Sequence, residues 1–519
     1  MICCLFYFSS AGVAQETYNY RLSFDRPVDT RIGQIEVNDS CFYVLGNTLD
    51  TAVANNLSVL FSKMSHEGEA LWHTSLSDTV NHYWFTGDNF IPTHDGNFAF
   101  ATSVQGASNS WISLLKYSSN GDTIFTRNYH PALPQQVHEI DCKDLVMLED
   151  GGFLILGRTW VPVWSNFSDM YLLRTDSLGT LLWSQTYGSD LYDRGMQLAF
   201  DQNNEIIIAG SNSNWITNWT DYIYQNHLLK IDEVGNVEWE YTSPADELLF
   251  RPKDIISTND NGLLIAAAKG VEQEPIDMYT PANVYLYANV YKLDVDQNVE
   301  WETDVANLFG QNICEINSLK KVSDNSGFVC AGYSLGPVSS GMISDGYGII
   351  CKLDTDGDSL WTRSYSFLTE EKHRHSFSEV EEIEDGFILV GSTRSYSADS
   401  IDLPLQRAWI IKVDQHGCLV PGCHLLSDVT EPGAALDIQV NIYPNPTSDY
   451  LNVYFRRPVI KGRAVFELLD ASGRSVLQFE SGHGDITHMV DVSELVAGSY
   501  WLTCRVGREV VSKEVVIAR

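Results

Sequence analysis

The chain has 519 residues, 44% of them hydrophobic and 12% aromatic, which excludes a disordered polymer and leaves room for more than one domain. Its formal net charge is -35, from 33 Lys/Arg and 68 Asp/Glu; a surface of that sign repels phosphate backbones and argues against nucleic acid as a partner. No apolar run reaches the roughly 18 residues that a membrane-spanning helix requires.

The first apolar run, Ile2 to Val13, ends in Gly12-Val13-Ala14 before Gln15. Small residues at the first and third of those positions suit signal-peptidase cleavage after Ala14, so residues 1–14 are expected to be a signal peptide. Tyr18 to Phe24 then reads as a strand with no obvious neighbour.

Next comes a unit repeated seven times. A polar turn leads into an apolar run ending in Gly or Ala; a variable stretch follows, then an apolar run ending in Lys or Arg, a second turn, and usually Trp. The stepping residues are Lys63, Lys116, Arg174, Lys230, Lys292, Lys352 and Lys412, separated by 53, 58, 56, 62, 60 and 60 residues. A period this long marks an array of supersecondary units. In the fourth unit, Met196–Phe200, Glu205–Gly210, His227–Ile231 and Val237–Tyr241 read as four short antiparallel strands, with a loop expected from Ser211 to about Gln225. Four such strands per unit describe a β-propeller blade, and residues 15–423 are expected to form a seven-bladed β-propeller. The seventh unit has Cys418 and Pro421 where its fourth strand should be. Tyr18–Phe24 would fill that gap against the strand around Ile410–Val413 and close the ring, removing exposed edges. Cys418 and Cys423 flank a short turn and are expected to form a local disulfide in an oxidising compartment, whereas Cys330 and Cys351 read as core thiols.

Meander topology puts the first-to-second and third-to-fourth turns on one end of the ring and the second-to-third loops on the other. The second set is long and uneven: Arg158–Asp169, Ser211–Gln225 and Lys269–Asn289. It carries Trp160, Trp164, Trp215, Trp219, Tyr222, Tyr285 and Tyr287, read here as ligand-binding candidates because aromatic loops on a rigid scaffold suit stacking and burial. The overall acidity favours neutral or cationic ligands there. No catalytic or metal site is expected. Asp354-Thr-Asp-Gly-Asp358 crowds carboxylates in one turn but lacks the downstream Glu of a calcium loop, and it reads as a β-turn. His373 and His375 share a strand face, as metal ligands do, but are read as part of a solvated inter-blade loop. No P-loop, His-Glu-x-x-His or Cys-x-x-Cys motif is present, and no cofactor is expected.

Residues 424–437 read as a linker, and residues 438–519 as a small β-sandwich of alternating strands. This last part is nearly neutral, with 9 Lys/Arg and 10 Asp/Glu from residue 437 onward, so the acidity lies in the propeller. Its ordered marks are Tyr443, Pro444, Asn445 and Pro446, the turn Asp470-Ala-Ser-Gly473, Gly498 and Tyr500, and a final strand from Lys513 to Arg519.

Those marks closely resemble the type A C-terminal sorting domain of the Bacteroidota type IX secretion system. The resemblance implies passage through the periplasm, recognition by the type IX machinery, and removal of the domain. It also implies either release of the mature protein or its attachment to surface lipopolysaccharide. The repeats in turn resemble Trp-containing propeller units of secreted Bacteroidota proteins. The order Asp232, Gly235, Trp239 is similar to that of quinoprotein dehydrogenase repeats, although the adjacent-Cys pair of many quinoproteins is missing after residue 14. Two functional readings follow: a binding module for a glycan or protein ligand, or an extracellular enzyme acting on glycans from the loop face.

Overall fold

The computed structural model describes residues 18–21, 30–50, 56–130, 139–160, 168–215, 222–244, 249–272, 284–305, 313–335, 345–368, 373–396, 406–419, 440–443, 447, 450–455, 464–470, 474–481, 487–506 and 509–518, apart from positions 39, 67, 79, 86–88, 108, 190–191 and 494. The chain divides into two compact units. The larger ends at Cys423, and His424–Arg519 belong to the smaller.

The larger unit is a seven-bladed β-propeller. Blade 1 is Thr30–Asn38, Cys41–Asp50, Asn56–Met64 and Ala70–Leu76, paired in that order. Blades 3 to 6 repeat the pattern, and blade 2 has its first strand broken into His82–Trp84 and Phe90–Pro92. Blade 7 takes three strands from His373–Ile383, Gly386–Ser395 and Gln406–Asp414. Its fourth is Tyr18–Arg21, antiparallel to the third, with Tyr18 opposite Lys412 and Arg21 opposite Trp409. The expected closure by the N-terminal strand is therefore present.

Burial falls outward along each blade. The second strand Phe98–Gln105 is buried at all but its last residue, while the fourth strand Ala70–Leu76 alternates between exposed and half-buried. The cores lie between blades: Ile207, Ala209 and Leu228 of blade 4 pack on Ile265, Ala267 and Tyr291 of blade 5. The seam between blades 7 and 1 joins Ile388, Val390 and Ile410 to Ile35, Phe42 and Val44. Cys330 and Cys351 are opposed, buried free thiols in blade 6.

A bulge interrupts the first strand of six blades. The register slips at Gly33, Lys143, Met196, Asn317 and Ser378, and twice in blade 5, around Pro252. Each bulge pushes a backbone carbonyl toward the second strand. A Cβ at Gly332 would sit 1.9 Å from the Glu315 carbonyl, and one at Gly391 equally close to that of Ser376. This is the physical reason for the Gly that ends the apolar run of most repeats.

The bulge also frees a backbone N–H, and the neighbouring blade takes it. Leu319 N–H donates to Asp254 Oδ2 at 2.6 Å, Ile35 N–H to Glu379 Oε2 at 2.6 Å, and Val380 N–H to Ser318 Oγ at 3.3 Å. Asn89 N–H donates to Gln34 Oε1 at 2.7 Å, Cys142 N–H to Ser103 Oγ at 2.8 Å, and Leu198 N–H to Asp144 Oδ2. Six of the seven blade seams thus carry a backbone N–H to side-chain bond, in four of them from the residue two after a bulge.

A second belt runs outside it. The fourth-strand Trp lies against the Gly of the next blade's third-to-fourth turn: Trp72 on Gly121, Trp183 on Gly235, Trp301 on Gly357, Trp361 on Gly417. These glycines have positive φ, 86° at Gly357, and a Cβ there would lie 2.4 Å from the Trp301 ring. Tyr129 and Tyr187 hydroxyls donate to the carbonyls of Gly179 and Gly235 at 2.7 and 2.8 Å. The stepping cations act within their own blades. Lys116 pairs with Asp95 at 2.8 Å, Lys230 with Asp201 at 2.8 Å, Lys412 with Asp385 at 3.1 Å, and Lys292 with Asp260.

The smaller unit is a β-sandwich. One sheet orders Val440–Tyr443, Tyr450–Phe455 and Thr487–Asp491; the other orders Ser475–Ser481, Ala464–Leu469, Gly498–Val506 and Glu509–Ile517. Leu451, Val453 and Val490 from the first meet Phe466, Leu468, Leu502 and Val515 from the second.

The inter-blade bonds generate one expectation. Asp254 accepts from Ile255 N–H at 2.8 Å as well as from Leu319, so Asp254→Ala leaves two buried donors unpaired. Urea titration should show a loss of about 2–4 kcal/mol; a loss under about 0.5 kcal/mol would mean the belt contributes little. A second concerns acid. Burial alone would raise the Asp260 carboxyl, but the Lys292 and Thr258 hydrogen bonds outweigh it and bring it down to about 2. Asp95 and Asp201 are lowered for the same reasons, by Lys116 and Lys230. Folded pKa values below the unfolded value of about 3.9 contribute stability above that pH, lost as pH falls through the folded values. The melting temperature should therefore drop between about pH 4 and pH 2, and less steeply in an Asp201→Asn, Asp260→Asn variant. Equal slopes would refute this account.

Candidate functional site

The end of the propeller that carries the second-to-third connections differs from the sequence expectation. The ladder does not stop at Ser211. It continues from Ser211 opposite Asn226 to Trp215 opposite Tyr222, so the Ser211–Gln225 loop shrinks to the segment between those two residues. In blade 5 it runs on from Lys269 opposite Tyr287 to Glu272 opposite Val284, with Tyr285 opposite Val271. Trp160 pairs with Ser168 in blade 3. The polar run Ser211-Asn-Ser-Asn214 reads as a loop by composition, but its backbone pairs because the hairpin rises past the packed core, where no apolar pattern is required.

In blade 4 the Trp215–Tyr222 rung lies beyond Ile207, Ala209 and Leu228, the positions that pack on blade 5. Tyr285 and Tyr287 lie on the third strand of blade 5, and strand alternation puts Tyr287 on the face whose deeper position, Tyr291, packs on blade 4. Tyr287 is half-buried. Trp164 and Trp219 lie outside the described residues.

Below the blade 3 and 4 hairpins sits a charged cluster. His227 Nε2 is 2.7 Å from Glu240 Oε1, and its Nδ1 is 3.7 Å from Asp193 Oδ1. Asp193 is fully buried and accepts from Ser189 N–H and Oγ at 2.7 and 2.9 Å. Burial opposes the charged form of His227, but hydrogen bonds to Asp193 and Glu240 dominate and raise its pKa. Asp169, next to the Trp160–Ser168 rung, is raised by burial and by the negative Asp193. These titratable groups carry no motif: His227 and Glu240 come from paired strands of blade 4, Asp193 from the start of that blade and Asp169 from blade 3.

The axis of the ring is a channel of about 440 Å³ lined by the bulged residues Gly33, Lys143, Met196, Lys253, Asn317 and Ser378. Its cations are partly matched: Lys143 lies 3.1 Å from Asp141 and Lys253 2.6 Å from Glu315. Arg31, also at the channel, donates to the Phe85 carbonyl at 3.0 Å, and burial lowers its pKa. The acidity of the chain is therefore not carried into its axis.

His373 and His375 are not in a solvated loop; both are buried in the first strand of blade 7. His375 Nδ1 faces the Gly346 carbonyl at 2.9 Å, and its Nε2 accepts from Phe367 and Leu368 N–H at 2.9 and 3.0 Å. Both nitrogens are used, so this imidazole is a structural link and not a free ligand. The Asp354 turn is a β-turn: Asp354 Oδ1 accepts from Asp356 and Asp358 N–H at 3.0 and 2.8 Å, as Asp232 does from Val234 and Asn236. Among the described residues no group of three or more His, Cys, Asp or Glu is arranged to hold a metal ion. Cys418 is buried and disulfide-bonded; Cys423, its expected partner, lies outside the described residues.

In the smaller unit, the final strand Glu509–Ile517 is the sheet edge beside Gly498–Val506, with Gly498 opposite Ile517, Tyr500 opposite Val515 and Leu502 opposite Lys513. Lys513 is exposed, while Val515 and Ile517 are buried. Tyr500 hydroxyl donates to the Val496 carbonyl at 2.8 Å. Tyr443 ends the first strand; Pro444, Asn445 and Pro446 lie outside the described residues. Thr447 exchanges bonds with the final strand, its N–H to the Val516 carbonyl and its carbonyl from Ala518 N–H, both 2.9 Å. The two ends of the sandwich, both rich in the sequence marks, are thereby tied together.

No curated protein matches the sequence. Among solved structures, a protein of unknown function from Dyadobacter fermentans aligns with TM-score 0.41 and 11% identity over 65% of this chain and 98% of that one. A PL25 ulvan lyase aligns with TM-score 0.47 and 7% identity, over 77% and 97%. The GH93 α-L-arabinofuranosidase of Fusarium graminearum aligns with TM-score 0.37 and 12% identity, over 76% and 98%. Likenesses this distant assign neither substrate nor activity. The C-terminal unit is different, because residues 441–518 match the family described as the secretion system C-terminal sorting domain. The chain thus carries a type IX sorting domain behind a β-propeller, and that domain directs its export to the cell surface or the extracellular space.

Proposed function

We propose that the propeller is a binding module that works outside the cell, taking a glycan or protein ligand on the aromatic rims of blades 3 to 5. The observation that carries this reading is the extension of the hairpins. Trp215, Tyr222, Tyr285 and Tyr287 occupy ladder positions beyond the packed core of two adjacent blades. A paired backbone holds such rings with little ordering cost when a ligand stacks on them. Trp160 is proposed to belong to the same rim, as are Trp164 and Trp219, which lie outside the described residues. The signal peptide at residues 1–14, removal of roughly residues 438–519, and attachment to lipopolysaccharide or release belong to this proposal.

A second reading, an extracellular enzyme acting on glycans, has one specific support. Asp169 and His227 both have raised pKa values and share Asp193 below the same hairpins, and titratable groups perturbed in this way are candidates for acid–base work. A glycan array probed with the exported protein separates the two. Binding without cleavage favours the module; cleavage abolished by Asp169→Asn favours the enzyme.

For a ligand so identified, Trp164→Ala combined with Trp219→Ala should weaken binding roughly tenfold or more with little change in melting temperature. A collapse of stability would show the rings to be packing groups. Unchanged affinity and stability together would place the ligand elsewhere. For export, deleting Lys513–Arg519 removes the buried Val515 and Ile517 and the bonds to Thr447. The truncated chain should accumulate in the periplasm, by fractionation and immunoblotting, and normal arrival at the surface would show that the final strand is not what the machinery needs.

A further inference from the structure

At the long-loop end of blade 7, Arg374 of the first strand stands directly opposite Arg394 of the second. Like charges in that position repel across the ladder, and nothing in the fold requires them. The chain has 68 acidic residues against 33 basic ones, so carboxylates to neutralise the pair are abundant in its composition. Yet among the described residues neither guanidinium forms an ion pair, and the Nε of each is buried without a hydrogen-bond partner. Glu315 is close enough to act, with Arg374, on the Tyr333 hydroxyl, but its carboxylate is engaged by Lys253 at 2.6 Å.

Both guanidinium groups are held against one ring. Their central carbons lie 5.5 Å (Arg374) and 5.0 Å (Arg394) from the centre of Tyr396. This cation–π contact offsets part of the repulsion and orients the two forks. With Tyr333, Ser392 and Gln406 they line a cavity of about 220 Å³. It shares Ser376, Ser392 and Gln406 with the central channel, where Arg31 adds another positive charge. Ser392 Oγ accepts from Gln406 Nε2 at 2.8 Å, which leaves its hydroxyl proton to donate into the cavity. His375 closes one wall and is fully occupied by backbone groups.

We infer that this cavity is an oxyanion site, in which Arg374 and Arg394 together grip the carboxylate or sulfate group of an acidic sugar while Tyr396 and Ser392 contact the sugar itself. Two planar forks matched to one two-oxygen face are the arrangement that recognises such groups. A bound anion also supplies the charge that the pair lacks. The site is independent of the aromatic rim, which lies on blades 3 to 5, and it reverses the preference for neutral or cationic ligands that the overall charge suggests.

The test uses the full exported chain and calorimetric titration with trigalacturonate, its methyl ester, a sulfated oligosaccharide and sodium sulfate. At least one acidic sugar should bind saturably. Where it is trigalacturonate, the ester should bind roughly tenfold or more weakly, and Arg374→Gln and Arg394→Gln should each cost a similar factor. The melting temperature of each variant should be unchanged or higher, because removing either charge relieves the repulsion. Arg394→Lys, which keeps the charge but loses the fork, should also weaken binding. The inference is overturned if neither acidic sugar binds, if acid and ester bind equally, or if the Gln variants bind as the parent does. It is equally overturned if only sodium sulfate binds, an adventitious ion only, or if all three variants lose stability, which would make the pair a packing element.

Discussion

Closing seven blades around an axis forces the innermost strands together, and the fold depends on how their backbone groups are satisfied there. A regular strand would leave its inner edge bare along the axis. The bulge in the first strand of six blades solves this by turning one residue into the channel and presenting a free N–H sideways. Asp144, Asp254, Ser318, Glu379 and Gln34, each placed one residue after a bulge, accept a backbone N–H from the following blade. The bond from Ile35 to Glu379 joins blade 1 to blade 7, so the belt continues across that seam. Buried carboxylates are costly unless hydrogen-bonded, and here backbone donors from two blades meet that need.

The outer belt follows from the same ring. A blade wedges against its neighbour most tightly near the axis, and the gap opens outward. Larger side chains fill it: the Trp of one blade on the Gly of the next, with Tyr or Thr hydroxyls bonded to the same turn. Thr303 donates to the Gly357 carbonyl at 2.7 Å where other blades use Tyr. In blades 2, 3, 4, 5 and 7 the stepping Lys or Arg pairs with an acid of its own blade, as Lys116 does with Asp95, Lys230 with Asp201 and Lys412 with Asp385. Turn chemistry and blade packing are thus coupled at one end of the ring, leaving the other end free to vary.

That free end carries the functional candidates, and their electrostatics do not follow the net charge. The axis and the blade 7 hairpin hold Arg31, Lys143, Lys253, Arg374 and Arg394. A cationic focus inside an acidic shell attracts anions only at short range, where the low dielectric of the walls strengthens the contact and the outer charges are screened.

Blade number, strand order and the sorting domain were legible in the sequence because each rests on local chemistry that recurs. Asp-x-x-Gly turns, apolar runs ending in Gly, and a fourth-strand Trp report single hairpins, and the final residues carry their own ordered marks. The site was legible only in part. Trp215 and Tyr222 stood out as aromatic, but their pairing as a ladder rung did not, since the strands there lose the apolar pattern once they rise above the core. Arg374 and Arg394 gave no signal, because a cross-strand pair depends on register and the bulge at Ser378 sets that register. His375 read as solvated from its polar neighbours, yet the inter-blade contact buries it against Gly346. Periodicity along the chain determined what each blade is. The ring alone decided which residues face one another, because those contacts come from strands that the sequence separates and only closure brings together.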